Sequence, residues 1–149
     1  VTQVDFYILP DTEQQARLLF LCRLVEKVYK KQHRIYIHTD SEASSKEIDL
    51  LLWTFKVESF IPHHLLSDES APAPVAIGHG DNDGKGPGDH HDVLINLCEE
   101  IPDFFSRFER CVEIVIQRAD VLESTRKHFG FYRERGYPLN THDLRKPTK

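Results

Sequence analysis

The 149-residue sequence predicts one α/β domain: a three-layer sandwich with a mostly parallel sheet and helices on both faces. Three observations predict it. Short β-branched and aromatic runs alternate with longer stretches of helical period. Hydrophobic residues make up 40% and charged residues 29%, enough apolar side chain for one core and too much for a disordered chain. No run approaches the roughly 18 apolar residues of a membrane span, since the longest, Leu18 to Val25, is broken by Arg23.

Val4 to Leu9 is an apolar and aromatic run ended by Pro10, which reads as a first strand. Thr12 and Gln15 form a capping-box pair, and a helix runs from there to about Lys31. Its Leu18, Leu21, Cys22, Val25 and Tyr29 recur at helical spacing. Arg34 to His38 is a second strand. Asp40 or Ser41 caps a second helix that ends near Phe55. Val75–Ile77, Val93–Leu97 and Cys111–Ile116 are further strands, and Arg118–Arg135 is a last helix. Residues 137–149 are left as a C-terminal tail. No internal repeat is visible.

Ser67 to Asp92 holds five of the seven glycines together with Pro72, Pro74 and Pro87, so it reads as a flexible surface loop. It is no linker between domains, because neither side is large enough to fold richly alone. One domain, residues 1–149, is therefore expected.

Three widely spaced cysteines, Cys22, Cys98 and Cys111, sit in apolar company. They read as buried thiols in a reducing compartment rather than a disulfide framework or zinc site. No charged-then-apolar leader opens the chain. A cytoplasmic protein is expected.

The net charge of −5 argues against sequence-independent nucleic-acid binding. It conceals an asymmetry. Residues 118–149 carry eight Lys or Arg against four Asp or Glu, and the rest carries eleven against twenty. The basic end suits a phosphate backbone, an acidic peptide or plain solvation.

Several motifs fail on inspection. A phosphate loop needs Gly-Lys followed by Ser or Thr, but Gly84-Lys85 is followed by Gly86. The dinucleotide fingerprint fails because Pro10, Asp11 and Thr12 follow the first strand without a glycine. Asp81, Asp83, His90, His91 and Asp92 are metal-ligand types, but Lys85 stands where a calcium loop places a ligand, so a polar turn is the competing reading. No serine sits in a nucleophile elbow and no cysteine has an obvious histidine partner. No cofactor, metal or catalytic residue is expected.

Two helix faces carry more. In the second helix Ile48, Leu51, Leu52 and Phe55 share a buried stripe, and Trp53 falls roughly 140° from Ile48. With Leu50 and the following Phe60, Ile61, Pro62 and Leu65, it marks a partner surface, against the alternative that Trp53 packs under the next loop. In the last helix Arg126, Phe129 and Arg133 share a face beside a line of Leu122, Thr125, Phe129 and Tyr132. Two guanidinium groups beside an aromatic wall suit a ligand with a carboxylate and an apolar ring. The same set can stack bases and grip phosphates, or be a half-buried helix with solvated arginines.

Five segments together resemble one family, the chi subunit of bacterial DNA polymerase III. They are Asp5 to Leu9, Leu52-Trp53, Ser59 to His63, Asp92 to Leu97, and Tyr132-Arg133 with Gly136 to Thr141. They keep the family's order and span nearly the whole chain. The resemblance implies a Rossmann-like fold without a nucleotide and no catalytic activity. It implies two partners: the psi subunit, which links to the clamp-loader complex, and the acidic C-terminal tail of single-stranded DNA-binding protein, which ends in Pro-Phe. DNA is contacted only indirectly. Carried over by position, the tail site uses Arg126, Phe129 and Thr141, and the psi site uses Trp53, Phe60 and Pro62. Phe129 stands where one member of the family has a tyrosine and Leu122 where that member has a lysine. Lys127 and Arg133 are the candidates to replace that charge. A direct single-strand-binding module using the basic end is the rival function.

Overall fold

The computed structural model describes residues 1–56, 61–66, 73–82, 84 and 86–145. The elements in order are β1 (Gln3–Ile8), α1 (Gln14–Lys30), β2 (Ile35–Thr39), α2 (Glu42–Thr54), β3 (His63–Leu65), β4 (Val75–His79), β5 (Val93–Asn96), a 3-10 turn (Phe105–Arg107), β6 (Arg110–Val115), α3 (Ala119–Glu134) and β7 (Leu139–Asp143). The strands form one sheet in the order β3-β4-β2-β5-β6-β1-β7. Every pairing is parallel, so the sheet is fully rather than mostly parallel.

The sequence explains why both faces are covered. Successive residues of a strand point to opposite faces. On β1, Tyr7 packs on Phe20 of α1 at 5.4 Å, while Phe6 packs on Phe129 of α3 at 5.5 Å. On β2, Thr39 bonds Ser45 of α2 at 2.7 Å, while Tyr36 meets Phe104 and Phe108 at 5.7 and 6.3 Å. So α1 and α2 cover one face. The other is covered by α3 and the aromatic segment around the 3-10 turn. With β2 and β5 buried from end to end, the core lies where a parallel sheet requires it.

Register then builds one row across the α3 face: Gly78, His38, Asn96, Glu113, Phe6 and Thr141 stand opposite one another on β4, β2, β5, β6, β1 and β7. An added Cβ at Gly78 would collide with the Asn82 side-chain amide, and moving that amide would break its hydrogen bonds to His79, Tyr36 and Gly86, so glycine fits best at this end of the row.

Local departures from expectation have local causes. Glu13, not Thr12, occupies the N-cap of α1 and makes no side-chain cap bond. Thr12 therefore stands outside the helix, and its pairing with Gln15 as a capping box is not made. The cap of α2 is Ser41, whose Oγ accepts the Ser44 amide at 3.1 Å. The strands β3 and β7 went unpredicted because His63–Leu65 and Leu139–Asp143 carry neither alternation nor an apolar run. Part of the expected tail is thus an edge strand, held by the Val4 amide on the Pro138 carbonyl (2.9 Å) and the Leu144 amide on the Ile8 carbonyl (2.8 Å). Cys22 and Cys111 are buried, but Cys98 is only half-buried. Burial pushes the Cys22 thiol up to about 12 and raises the other two, so none is a poised thiolate. No helix among the described residues is long and apolar enough to cross a membrane.

Candidate functional site: an arginine-lined groove beside α3

Helix α3 lies over β1, β6 and β7 and leaves a groove of about 340 Å³. Phe6, Ile8, Val115, Leu122 and Phe129 form its apolar part. Thr125, Thr141, Arg126, Arg133 and Arg145 surround it, and among the described residues no carboxylate lines it. The helical spacing of Arg126, Phe129 and Arg133 accounts for one wall. The Arg133 guanidinium lies 5.7 Å from the centre of the Phe129 ring, a cation–π distance. Arg126 has no hydrogen-bond or ion-pair partner among the described residues. Chemically, the groove offers unspent donors and an apolar hollow, which suits an anionic ligand with an apolar ring.

A second surface lies on α2 and the following segment. Leu50 is 63% and Trp53 45% exposed. The Trp53 ring sits 4.2 Å from that of His63, itself fixed by hydrogen bonds to the carbonyls of Ile61 (2.6 Å) and Asp49 (2.9 Å). Trp53 thus packs on one side and presents the other, off the buried stripe of Ile48 and Leu52. Pro62 beside it is half-buried, and Phe60 lies outside the described residues.

The family model "DNA polymerase III chi subunit, HolC" matches residues 1–140. The chain belongs to this family of replication accessory subunits. It is 44% identical to DNA polymerase III subunit chi of Pseudomonas aeruginosa over 144 residues, covering 97% of this chain and 98% of that protein. It is 29% identical to the Haemophilus influenzae subunit chi over 141 residues, covering 94% and 96%. For the Escherichia coli subunit chi the identity is 28% over 122 residues, covering 81% of each. Among solved structures, domain 2 of the DEAD-box helicase Mss116p bound to an RNA duplex superposes with a TM-score of 0.63 at 10% identity. That likeness covers 97% of this chain but only 65% of that one, and it concerns the fold alone.

In this chi-family chain the fold brings Arg126, Phe129, Arg133 and Thr141 to one groove. It does not bring Lys127 there: the Lys127 side chain is 74% exposed, its ammonium faces Glu123 at 3.8 Å, and it is no groove residue. One residue beyond Arg126 is a turn of about 100° on a helix, which carries it off the face. Tyr132 also departs from the expected line. It is fully buried, with its hydroxyl 3.4 Å from Cys111 and 3.3 Å from Glu113. Sequence reasoning missed Ile8, Val115 and Arg145, which reach the groove from three separate strand ends.

It also missed the polar centre of the row. Glu113 is 4% exposed; its carboxylate lies 2.8 and 3.0 Å from His128 Nδ1 and accepts from Asn96 at 3.3 Å. His128 Nε2 reaches the Glu99 carbonyl at 2.6 Å. Burial pulls the His128 pKa down, but the Glu113 hydrogen bond and charge outweigh it and leave it raised. A signal existed: Glu113 is the one charge inside the apolar run Cys111–Ile116.

At the other end of the row, a crevice of about 550 Å³ opens beyond the carboxyl ends of the strands. It lies where β2 leaves towards α2 and β5 towards the opposite face, the switch point where α/β sheets bind ligands. Asp40, Asp81, Glu99, Glu100 and Asp103 line it, so it repels a phosphate. Its histidine is held neutral. The Asn82 amide donates to the Tyr36 hydroxyl (2.9 Å), which is in turn hydrogen-bonded to His38 Nδ1 at 2.8 Å. Burial pulls the His38 pKa down to about 4. Of the metal-ligand types named above, His90 reaches the Ala73 carbonyl (3.1 Å), Asp92 accepts the Arg34 amide (2.7 Å), and Asp83 lies outside the described residues. No three His, Cys, Asp or Glu among the described residues are grouped to hold a metal.

Proposed function

We propose that this chi-family chain is a non-catalytic cytoplasmic adaptor of the bacterial replicase. The α3 groove takes the acidic C-terminal tail of single-stranded DNA-binding protein. The Trp53 surface, with Phe60 and Pro62, takes the psi subunit and through it the clamp-loader complex. DNA is reached only through its protein coat. A single domain, residues 1–149, carries both surfaces, a reading supported by the one continuous sheet.

The observation that carries the reading is the convergence of Arg126, Phe129, Arg133 and Thr141 on one apolar hollow, with Arg126 unpaired among the described residues. A tail ending in Pro-Phe supplies the matching parts. Its ring fills the hollow beside Phe129, and its carboxylates take charge-assisted hydrogen bonds from guanidinium groups.

A labelled peptide ending in Asp-Ile-Pro-Phe is expected to bind saturably, with Kd on the order of micromolar and weakening in salt. The same peptide without the final Phe is expected to bind far more weakly. A folded sample that binds neither at low salt refutes the tail assignment. Tighter binding of a bare single-stranded oligonucleotide, falling steeply with salt, would favour the direct nucleic-acid reading. Trp53→Ala is expected to leave peptide binding unchanged and to reduce co-purification with psi. Full co-purification counts against that surface.

A further inference from the structure

Arg145 reaches the groove from beyond the end of β7, where no helix periodicity announces it. Its guanidinium forks onto Asp143, with Nε 2.9 Å from Oδ1 and Nη2 2.7 Å from Oδ2, and its backbone amide donates to the same carboxylate at 3.0 Å. The Leu144 amide between them is tied to the Ile8 carbonyl at 2.8 Å, so the main chain fixes both residues against β1. Register places Asp143 opposite Ile8, and Ile8 opposite Val115. Those two apolar residues line the groove, and Thr141 precedes Asp143 by two on the same face. A carboxylate therefore stands at the edge of a groove whose own charged lining, among the described residues, is all cationic.

We propose that Arg145 is a further contact for a carboxylate of the bound peptide, and that Asp143 is its internal competitor. The proposal rests on the reading of the groove as a site for an acidic peptide. The Asp143 fork has the two-pronged geometry with which a guanidinium takes any carboxylate. Both side chains are partly solvated, at 46% exposure for Arg145 and 34% for Asp143. A pair so exposed is weak, so an incoming carboxylate that also seats an apolar ring can take Asp143's place. Asp143 thus raises the threshold for binding: a lone anion gains little over the internal carboxylate, and a ligand with both parts wins. This makes the pair a specificity device as well as a contact.

The test is a double-mutant cycle with the labelled Asp-Ile-Pro-Phe peptide on the full chain. Arg145→Ala is expected to weaken binding about fivefold, and Asp143→Asn to tighten it about threefold, the sizes of partly exposed charge-assisted contacts. The Asn substitution is expected to give no gain once Arg145 is already Ala. Unchanged binding of Arg145→Ala, beside a wild type that binds and an Arg126→Ala that binds more weakly, overturns the proposal and leaves the groove reading standing. A gain from Asp143→Asn that persists without Arg145 also overturns it, because Asp143 then acts through its field alone. Absence of binding by the wild type at low salt overturns the groove reading and this proposal together. Unchanged thermal midpoints of the exposed variants assign the effects to the site rather than to folding.

Discussion

The groove beside α3 and the crevice at the strand ends are joined by one row of the sheet, yet they offer opposite chemistry. At the Phe6 and Thr141 end, arginines from α3 and from beyond β7 surround an apolar hollow. At the His38 end, five carboxylates surround a neutral imidazole. Between them stands the buried Glu113–His128 pair. The difference teaches why a net charge says little about a partner. The −5 total is concentrated away from the arginine-lined groove, and a folded sheet keeps the two fields apart.

The largest effect should come from breaking that divider. His128→Ala removes the hydrogen-bonded counter-charge of Glu113 and leaves a carboxylate of 4% exposure whose other hydrogen-bond partners among the described residues, Asn96 and Tyr132, are neutral, with the Arg17 charge acting only at longer range. Loss of one partner of a buried pair costs about 3 kcal/mol or more. Urea unfolding is expected to register that loss in the midpoint. A midpoint shift worth under about 1 kcal/mol would mean that water or neighbouring backbone already satisfies Glu113, and that the pair separates nothing.

An effect of similar size distinguishes the acidic end of the row from its divider by pH. His38 has a folded pKa of about 4, below the ordinary 6.5 of an imidazole. Its share of stability is therefore complete above pH 6.5 and is lost as pH falls from 6.5 towards 4, on the order of 3 kcal/mol. His90 is lowered by burial too and has the same sign. His128 is raised, so its share is complete below pH 6.5 and is lost as pH rises through the folded pKa. A stability profile that falls on the acid side is expected to flatten in His38→Phe. His128→Gln is expected to remove only the loss on the alkaline side. Identical profiles for the two variants would show that the row does not hold its histidines in opposite states.

Much of this was legible in the sequence, and the reasons for the rest are physical. Strands β1, β2, β5 and β6 are apolar runs, and the three helices carry apolar stripes, so their order gave the sandwich. Arg126, Phe129 and Arg133 were legible because a helix writes its faces as spacing. Trp53 was legible for the same reason, as an aromatic residue off its stripe. Arg145 was not, because β7 is an edge strand with exposed residues and no alternation to read. The acidic crevice was not, because it joins residues near 40, 80 and 100 that only a crossover topology makes neighbours. Lys127 was misplaced for want of one helical step.

The smallest effect is the sharpest test of whether the two regions act separately. Arg126→Ala should weaken peptide binding about tenfold, or ~1.4 kcal/mol, at any moderate salt, since it removes a direct contact. Glu99→Gln with Glu100→Gln touches no groove residue. Glu99 and Glu100 follow β5, and from β5 to β1 is two strand spacings, roughly 10 Å, which still exceeds the screening length of about 8 Å at physiological ionic strength. The double substitution should therefore change the affinity less than about twofold in 0.15 M salt. At 0.01 M the screening length grows to roughly 30 Å, the two fields overlap, and removing two negative charges should tighten the binding of an acidic peptide. The gain must vanish as salt is restored. Tightening that survives 0.15 M salt would mean that the peptide reaches the crevice itself, and that groove and crevice are two ends of one longer site.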